Sequence, residues 1–341
     1  MFGGANEPIG IATGDFVFVG DLGRPDLLES AAGIAGMMEP SAKRLYQTVR
    51  KLDGMADFIQ VWPAHGAGSA CGKALGAVLT STIGYEKRFN PAIKAASDER
   101  TFVDFILSGQ PEPPMYFANM KRVNKAGPAV LGGLPLPKRM TVSELAGLDA
   151  RQVAVVDTRA WDEFRAGHVP GALSFPLTKS FNTDAGSMIR EDEKIYLIIE
   201  PERVEEAVRD LVRIGLDHIE GWFDPEDLAA YAKAGHELAE TGEVTAEEAS
   251  RLMDEAGVAV LDVRRATEYG EGHIAGATNI AHTRLMGRMD EVPAAEQLVV
   301  HCRSGARSAR ACAFLERVGR RVVNLKGGFM AWEQAKEPVE R

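Results

Sequence analysis

Cysteine is scarce in this sequence, and long apolar runs are absent. Only three cysteines occur among 341 residues, Cys71, Cys302 and Cys312, which are too few and too scattered for a disulfide framework or a cysteine-based zinc site. No window approaches the roughly 18 uninterrupted apolar residues of a membrane helix. The first residues lack the basic and then apolar pattern of a signal peptide. We therefore expect a cytoplasmic protein with reduced thiols and no membrane association.

Positive charge is also in deficit. The chain has 39 Lys and Arg residues against 49 Asp and Glu, which gives a net charge of -10. This balance argues against a nucleic-acid partner or a basic membrane patch. With 341 residues, of which 45% are hydrophobic, the chain has enough material for more than one core, and we expect two or three domains.

An internal repeat is present in the C-terminal two thirds. The stretch VVDTRAWDEFRAGHVPGALSFP, residues 155–176, aligns without gaps on VLDVRRATEYGEGHIAGATNIA, residues 260–281. The alignment pairs Asp157 with Asp262, Arg159 with Arg264, Glu163 with Glu268, His168 with His273 and Gly171 with Gly276. The offset of 105 residues is the size of a domain rather than of a solenoid repeat.

The repeat predicts an α/β fold. Each copy has a short helical start, a β-branched run ending in Asp, a Gly-His turn, an apolar strand and an amphipathic helix, which favours a parallel sheet with helices on both faces. The first copy spans residues 141–236 and the second copy spans residues 243–341. Residues 124–140 are rich in Gly and Pro and are expected to form a linker, preceded by a different segment at residues 1–123.

The stretch VVHCRSGARS ends an apolar run on Cys302. In an open α/β sheet, chemistry gathers where strands end and helices begin. Loop N–H groups and a helix N-terminus at this place would stabilise a thiolate, and Arg303 and Arg307 add positive charge, so we expect Cys302 to be partly ionised near neutral pH. Four residues separate Cys302 from Arg307. Protein tyrosine phosphatases use a loop one residue longer, and this smaller ring suits a single sulfane sulfur better than a phosphoryl group.

Residues 243–341 resemble a rhodanese, a sulfurtransferase domain. The matching stretches are LDVRRATEYGEGHIAGATNI, VVHCRSGARSA and NLKGGFMAW. The resemblance implies that Cys302 takes the outer sulfur of thiosulfate or a low-molecular-weight persulfide and passes it to a thiol or cyanide, without a cofactor. It implies that Arg307 and the loop N–H groups cradle the sulfur and that Arg303 lies at the entrance. The loop comprises Arg303, Ser304, Gly305, Ala306 and Arg307.

Several of these residues also have a plain structural interpretation. Cys302 could be an ordinary buried cysteine. By strand alternation His301 faces away from the loop, and Cys312 lies on an apolar helix face. Asp262 and Arg264 could form an acid-base pair, but we favour a structural role in which Asp262 orients the loop and Arg264 binds Glu268 or a carbonyl. His273 is likewise expected to be structural.

The first copy resembles a rhodanese that cannot transfer sulfur. It has Ile199 and Glu200 where the nucleophile should be, and a carboxylate there would repel anions. Arg203 is a candidate match for Arg307 in a loop that we expect to be shorter. The expected role of this copy is to pack against or position its neighbour, or to dock a partner.

The first segment resembles the second half of a metallo-β-lactamase-fold domain of the persulfide dioxygenase branch. The matching stretches are TGDFVFVGDLGRPDLL and VWPAHGAGSACGK. The resemblance implies an iron held by two histidines and an aspartate, of which Asp21 matches the aspartate. His65 matches a further histidine of the metal pocket. No histidine precedes His65, so both iron-binding histidines are missing and we expect no iron unless the other half is present.

Half of such a domain should expose apolar strand faces. We expect either that the sequence is a fragment or that a partner chain, such as a second copy, covers the exposed face. The sequence therefore predicts a rhodanese-type sulfurtransferase acting through Cys302. Two alternatives remain: a piece of a persulfide dioxygenase and rhodanese fusion, and a docking protein without catalytic activity.

Overall fold

The computed structural model describes residues 2–4, 7–31, 33–66 and 78–341. They belong to two compact units, Met1–Pro113 and Pro114–Arg341. Within these described ranges, no helix has both the length and the apolar character needed to cross a membrane.

The described part of the first unit is built on a four-stranded sheet. The described strands of this unit are β1 (Phe2–Gly4), β2 (Glu7–Gly14), β3 (Val17–Phe18), β4 (Asp21–Leu22), β5 (Gln60–Pro63) and β6 (Ser81–Thr82), and four of them form the sheet. The sheet order is β1-β2-β5-β6, in which β2 and β5 are parallel and the two outer pairs are antiparallel. Strands β3 and β4 form a separate antiparallel pair.

Helices of this unit share a buried core with the sheet. They are α1 (Leu27–Ser30), α2 (Met38–Val49), the 3-10 helix η1 (Arg50–Gly54), α3 (Ile83–Phe89), α4 (Pro91–Ala95) and α5 (Glu99–Leu107). The core between them includes Val61, Ile83, Phe102 and Ile106, all fully buried. Large apolar side chains are also exposed in this unit, among them Ile9, Phe58, Leu79 and Phe89.

The second unit begins earlier than the sequence suggested. Its first helix, α6 (Tyr116–Ala126), lies within the range that the sequence analysis divided between the first segment, residues 1–123, and the linker. Tyr116 and Met120 pack against the core of the first copy. A β-carbon at Gly186 would lie 2.5 Å from Cδ1 of Tyr116, which shows how closely α6 is packed there.

The first copy forms a five-stranded sheet with helices around it. Its elements are β7 (Lys138–Arg139), α7 (Val142–Ala146), β8 (Ala154–Asp157), α8 (Trp161–Ala166), β9 (Leu173–Ser174), α9 (Phe181–Met188), β10 (Ile195–Ile198), η2 (Pro201–Arg203), α10 (Val204–Val212), β11 (Ile219–Phe223) and α11 (Asp227–Lys233). The strand order is β7-β11-β10-β8-β9 and every pairing is parallel.

The second copy repeats this arrangement. Its elements are β12 (Gly242–Val244), α12 (Ala246–Met253), β13 (Val258–Asp262), α13 (Ala266–Gly270), β14 (His273–Ile274), β15 (Thr278–Asn279), η3 (His282–Glu291), β16 (Gln297–His301), α14 (Ala306–Arg317), β17 (Val322–Leu325), α15 (Gly328–Gln334) and β18 (Val339–Glu340). The strand order is β12-β17-β16-β13-β15, again all parallel, and β14 pairs with β18 outside the sheet. The predicted pair of parallel α/β domains is confirmed.

The two copies share one hydrophobic core. Residues of the first copy, such as Phe181 and Met188, belong to the same buried cluster as Leu285 and Val300 of the second copy. Helix α14 lies at this junction and is buried on most of its surface. Because α14 follows the Cys302 loop directly, the first copy contributes to the packing that supports the loop.

Candidate functional site

Cys302 is the first residue after strand β16, and α14 begins at Ala306. Between them the chain turns through Gly305, whose φ of +92° is the left-handed conformation that glycine adopts most readily. The Gly305 N–H donates a hydrogen bond to Cys302 Sγ at 3.2 Å. The Cys302 side chain is buried, whereas Arg303, Ser304 and Ala306 are exposed. The sulfur therefore lies at the base of a loop with an exposed rim.

The start of helix α15 makes hydrogen bonds to the backbone of this loop. The Phe329 N–H donates to the carbonyl oxygen of Cys302 at 2.7 Å, and the Met330 N–H donates to that of Arg303 at 3.0 Å. Gly328 comes close enough that a β-carbon there would lie 2.4 Å from the Cys302 carbonyl oxygen. Gly327 and Gly328 at the start of α15 thus let two backbone segments approach each other closely.

Arg307 is paired with Glu268. Its two terminal nitrogens lie 2.7 Å and 2.8 Å from the two carboxylate oxygens. Burial raises the pKa of Glu268, but the hydrogen bonds and charge of Arg307 outweigh it and lower that pKa to about 2. Burial likewise disfavours the charged guanidinium, yet Glu268 and then Cys302 raise the pKa of Arg307. The guanidinium is positively charged beside the sulfur, and its hydrogen bonds go to Glu268.

A cavity of about 240 Å³ opens beside the loop. Arg303, which the sequence analysis expected at the entrance of the site, is one of the residues that line it. The other lining residues are Arg264, Glu268, Glu271, Gly272, Phe329, Met330 and Glu333. This mixed lining gives a substrate both charged and apolar contacts near the loop.

Asp262 and Arg264 form a buried ion pair. Arg264 Nε lies 2.9 Å from Asp262 Oδ2, and Nη2 lies 2.6 Å from the same oxygen and 2.8 Å from the Gly272 carbonyl. The first copy has the same arrangement, with Arg159 Nη2 2.6 Å from Asp157 Oδ2 and 2.8 Å from a carbonyl oxygen. Because a copy without a cysteine keeps the pair, its geometry serves the fold of both copies. We expected Arg264 to bind either Glu268 or a carbonyl oxygen. The structure shows the carbonyl oxygen as its partner, and Glu268 binds Arg307 instead.

His301 lies behind the loop in the sheet. It is fully buried, and its Nε2 is 3.6 Å from Asp262 Oδ2. Burial lowers the pKa of His301 to about 4, so the ring is neutral at physiological pH. Cys312 is also fully buried in the shared core, and burial raises the pKa of its thiol. Cys71 lies outside the described residues.

The first copy has no nucleophile at the equivalent position. Ile198 pairs with Asp157 as His301 pairs with Asp262, so Ile199 occupies the place of Cys302. The turn that follows is the 3-10 helix η2, which begins at Pro201 and continues directly into α10. Only Glu200 separates Ile199 from this helical turn, whereas three residues separate Cys302 from the start of α14. The loop is therefore shorter than its counterpart, as the sequence analysis expected.

Arg203 does not stand in for Arg307. Its Nη2 lies 2.9 Å from Glu206 Oε2 and 3.0 Å from the carbonyl oxygen of Leu177. It lies four residues after Ile199, whereas Arg307 lies five residues after Cys302. The loop also carries the exposed Glu200 and contains no cysteine.

The candidate metal residues of the first unit do not form an iron site. Asp21 is buried, and its Oδ1 accepts a hydrogen bond from the Leu22 N–H at 2.8 Å. His65 Nε2 lies 3.1 Å from Asp15 Oδ1. Among the described residues, no three His, Cys, Asp or Glu side chains come together in a group that could hold a metal ion. The donor set does not fit a resident iron, and we assign it no step.

The sequence analysis did not assign three roles at this site, those of Ser308, Asn324 and Glu268. The Ser308 hydroxyl lies 3.5 Å from Cys302 Sγ and 2.6 Å from Asn324 Oδ1. Glu268, which pairs with Arg307, was expected as a possible partner of Arg264. The Asn and the Gly-Gly pair were both visible in the NLKGGFMAW stretch, but nothing in the sequence showed that this stretch returns to the loop.

Comparison with known sequences identifies relatives of the repeated part. The profile of the rhodanese-like domain family matches residues 141–218 and 245–335. Over 90 residues the chain is 40% identical to a sulfurtransferase of Allochromatium vinosum, a match that covers 26% of this chain and 84% of that protein. Over 99 residues it is 30% identical to the thiosulfate sulfurtransferase GlpE of Actinobacillus pleuropneumoniae serotype 5b, covering 29% of this chain and 92% of that one.

Comparison with solved structures extends the likeness to the first unit. A metallo-beta-lactamase from Staphylococcus aureus subsp. aureus COL matches with 39% identity and a TM-score of 0.58, covering 65% of this chain. The chain spans 61% of the length of that structure. The N-terminal region is metallo-β-lactamase-like, which confirms the fold predicted for it.

Proposed function

Because the chain belongs to the rhodanese-like domain family, we propose that it is a sulfurtransferase that carries sulfane sulfur as a persulfide on Cys302. Two of the relatives are named a sulfurtransferase and a thiosulfate sulfurtransferase. We extend to this chain the substrates that the sequence analysis expected: thiosulfate or a low-molecular-weight persulfide as donor, and a thiol or cyanide as acceptor.

The proposed reaction has two displacement steps. The Cys302 thiolate attacks the outer sulfur of thiosulfate, a new S–S bond forms, and sulfite leaves with the electron pair of the broken S–S bond. The acceptor, written as cyanide, then attacks the terminal sulfur of the persulfide. Thiocyanate leaves, and the electron pair of the second broken S–S bond returns to Cys302 as thiolate. No external oxidant or reductant is consumed.

The proposal rests on one observation, the hydrogen bond from the Gly305 N–H to Cys302 Sγ at 3.2 Å. A backbone donor at a helix N-terminus stabilises negative charge on the sulfur, and the Arg307 guanidinium beside it adds a positive charge. The first copy lacks the cysteine and has the apolar Ile199 after its strand instead. All the chemistry is therefore assigned to the second copy.

The experiment compares Cys302→Ser with Cys312→Ser in a thiosulfate and cyanide assay on the full chain. Cys302→Ser should remove thiocyanate formation, because the hydroxyl cannot carry the sulfur. Cys312→Ser is the matched control, since Cys312 lies in the core. The wild type treated with thiosulfate should also gain the mass of one sulfur atom on the peptide containing Cys302. Full activity of Cys302→Ser would overturn the proposal. So would the absence of both turnover and sulfur loading, which would favour a docking role.

A further inference from the structure

A chain of hydrogen bonds connects the first copy with the sulfur in the second. The Trp161 indole N–H donates to Glu243 Oε1 at 3.0 Å, and the Asn324 side-chain amide donates to the same oxygen at 3.1 Å. Asn324 then faces Ser308, whose hydroxyl is 2.6 Å from Asn324 Oδ1 and 3.5 Å from Cys302 Sγ. Ser308 and Asn324 are buried, and the Glu243 side chain is 8% exposed. Water therefore has little access to this path.

The direction of each hydrogen bond follows from the groups present. A carboxylate can only accept, so the Asn324 nitrogen must face Glu243 and its oxygen must face Ser308. The Ser308 hydroxyl has one proton and three acceptors in reach: Asn324 Oδ1 at 2.6 Å, the Gly305 carbonyl at 3.0 Å and Cys302 Sγ at 3.5 Å. The shortest contact is to Asn324, so the proton points away from the sulfur.

The fold itself does not require this path. By strand register Arg139 occupies the place of Glu243 and Trp222 the place of Asn324 in the first copy. There the Arg139 guanidinium lies over the Trp222 ring at 5.5 Å instead. The copy without a cysteine thus fills the same positions with a cation-π pair. The chain of hydrogen bonds from Trp161 to Ser308 is therefore found in the copy that contains Cys302.

We propose that Trp161 of the first copy and Glu243 are positioning residues, which hold the Asn324 amide so that Ser308 cannot donate its proton to the Cys302 thiolate. The sulfur then keeps the Gly305 N–H as its donor and is less solvated, and a thiolate with fewer donors is a stronger nucleophile. This inference deepens the proposed function and rests on it for its biological purpose. The copy without a cysteine thus acts on the nucleophile of its neighbour.

Other titratable groups on the elements around the loop must stay constant in a test. They are Asp262 on β13, Glu268 on α13, His301 on β16, Arg303 in the loop, Arg307 on α14 and Lys326 after β17. None of them is changed in the variants below.

The test is the rate of Cys302 alkylation by iodoacetamide, followed by peptide mass spectrometry from pH 5 to 10 in the full chain. Glu243→Ala releases the Asn324 amide, so Ser308 can donate to the thiolate, which is a stronger acceptor than the Gly305 carbonyl. The pH midpoint of alkylation should fall by about one unit, the equivalent of one hydrogen bond to a charged group. The rate at high pH should fall about threefold, because nucleophilicity decreases with basicity.

Glu243→Gln is the conservative variant. Its amide oxygen can accept both hydrogen bonds now made to Oε1, so the wild-type midpoint and rate should return. Trp161→Phe removes one donor and should move the midpoint in the same direction as Glu243→Ala by a smaller amount. In a Ser308→Ala background Glu243→Ala should change nothing, because the hydroxyl that it releases is gone.

An unchanged or raised midpoint in Glu243→Ala would overturn the proposal, as would a Gln variant that behaves like the Ala variant. A wild-type midpoint in Trp161→Phe would overturn the part assigned to the first copy. The readout needs no sulfur donor, so failure of the sulfurtransferase assay and failure of this inference are separate results.

Discussion

Gly328 lies against Cys302 so closely that a β-carbon on Gly328 would stand 2.4 Å from the carbonyl oxygen of Cys302. Gly328 also has a φ of +58°, in the left-handed region that other residues rarely adopt. The loop that carries the sulfur therefore keeps its shape only if the start of α15 has no side chain at this position.

The first prediction is that Gly328→Ala displaces the Cys302 loop. We expect sulfur transfer to fall at least about tenfold, because small displacements of a reacting group are costly. The control is Gly319→Ala, which has a φ of +83° but open space around the added β-carbon. It shares the backbone strain, about 1 kcal/mol, without the contact. Equal activity of the two variants in the thiocyanate assay would show that the contact does not matter.

The second prediction concerns Glu268, which accepts two hydrogen bonds from the guanidinium of Arg307. Glu268→Gln should weaken this pair and leave Arg307 freer to bind an anionic donor, so the KM for thiosulfate should fall about threefold to tenfold. Steady-state kinetics across thiosulfate concentrations measures it.

The repeat provides a matched control for this change. Glu268 accepts a hydrogen bond from the Arg265 N–H at 3.2 Å, and Glu163 accepts one from the Ala160 N–H at the same distance. Glu163→Gln weakens the same cap in the copy without a cysteine and should leave KM unchanged. A KM that rises in Glu268→Gln would mean that Glu268 helps to hold the donor.

The third prediction tests the ion pair between the copies. Arg317 on α14 pairs with Glu193 of the first copy and donates to the Ala150 carbonyl at 2.7 Å. Both side chains of the pair are buried, so Arg317→Ala leaves an unpaired carboxylate and should lower the free energy of unfolding by about 3–5 kcal/mol. Urea unfolding measures this loss.

The control for that prediction is Arg213→Ala. The Arg213 side chain is 67% exposed and lies 3.5 Å from Asp210, so its removal should change the free energy of unfolding by less than about 0.5 kcal/mol. If Arg317→Ala costs no more than Arg213→Ala, the pair between the copies does not hold them together.

The fourth prediction is a pH dependence from Glu316. Burial raises the pKa of Glu316 from 4.5 to about 7, although its hydrogen bond from Thr241 opposes this. Between pH 7 and 4.5 the folded protein binds a proton that the unfolded chain does not, so this group lowers stability as the pH rises through that window. Glu316→Gln should raise the free energy of unfolding by about 2 kcal/mol at pH 8 and much less at pH 4.5.

His301 changes stability in the opposite direction. Its pKa is about 4 when folded, so between pH 6.5 and 4 the unfolded chain binds the additional proton and stability falls as the pH drops. Glu316 opposes this effect of His301. The stability of the Glu316→Gln variant should therefore fall more steeply than that of the wild type as the pH drops. Thermal unfolding of both proteins at pH 8, 6 and 4.5 measures this, and equal stabilisation at all three values would contradict the assignment.

The order of elements in the second unit could be predicted from the sequence because it depends on local patterns. The alternation of apolar strands and amphipathic helices predicted two parallel α/β domains, and the Asp157 and Asp262 pairing set their register. Helix α6 was divided between two ranges because its amphipathic pattern does not say which core it joins. Its place is decided by Tyr116, which packs beside Gly186 some 70 residues later.

In the site, too, contacts between residues close in sequence could be predicted, whereas contacts between distant residues could not. Cys302 and Gly305 are close in sequence, so a strand end followed by a glycine turn was enough to predict their contact. The pairing of Arg307 with Glu268 joins residues 39 positions apart. The sequence analysis offered only Arg264 as an arginine partner for that carboxylate, because nothing in the sequence shows that Glu268 lies next to Arg307.

The buried cluster common to both copies has a consequence for any shortened form of the chain. The cysteine-bearing copy on its own would have Leu285, Phe314 and their neighbours exposed to water, and such a surface promotes aggregation. The first copy therefore keeps apolar surface of the second copy away from water, although it contains no cysteine.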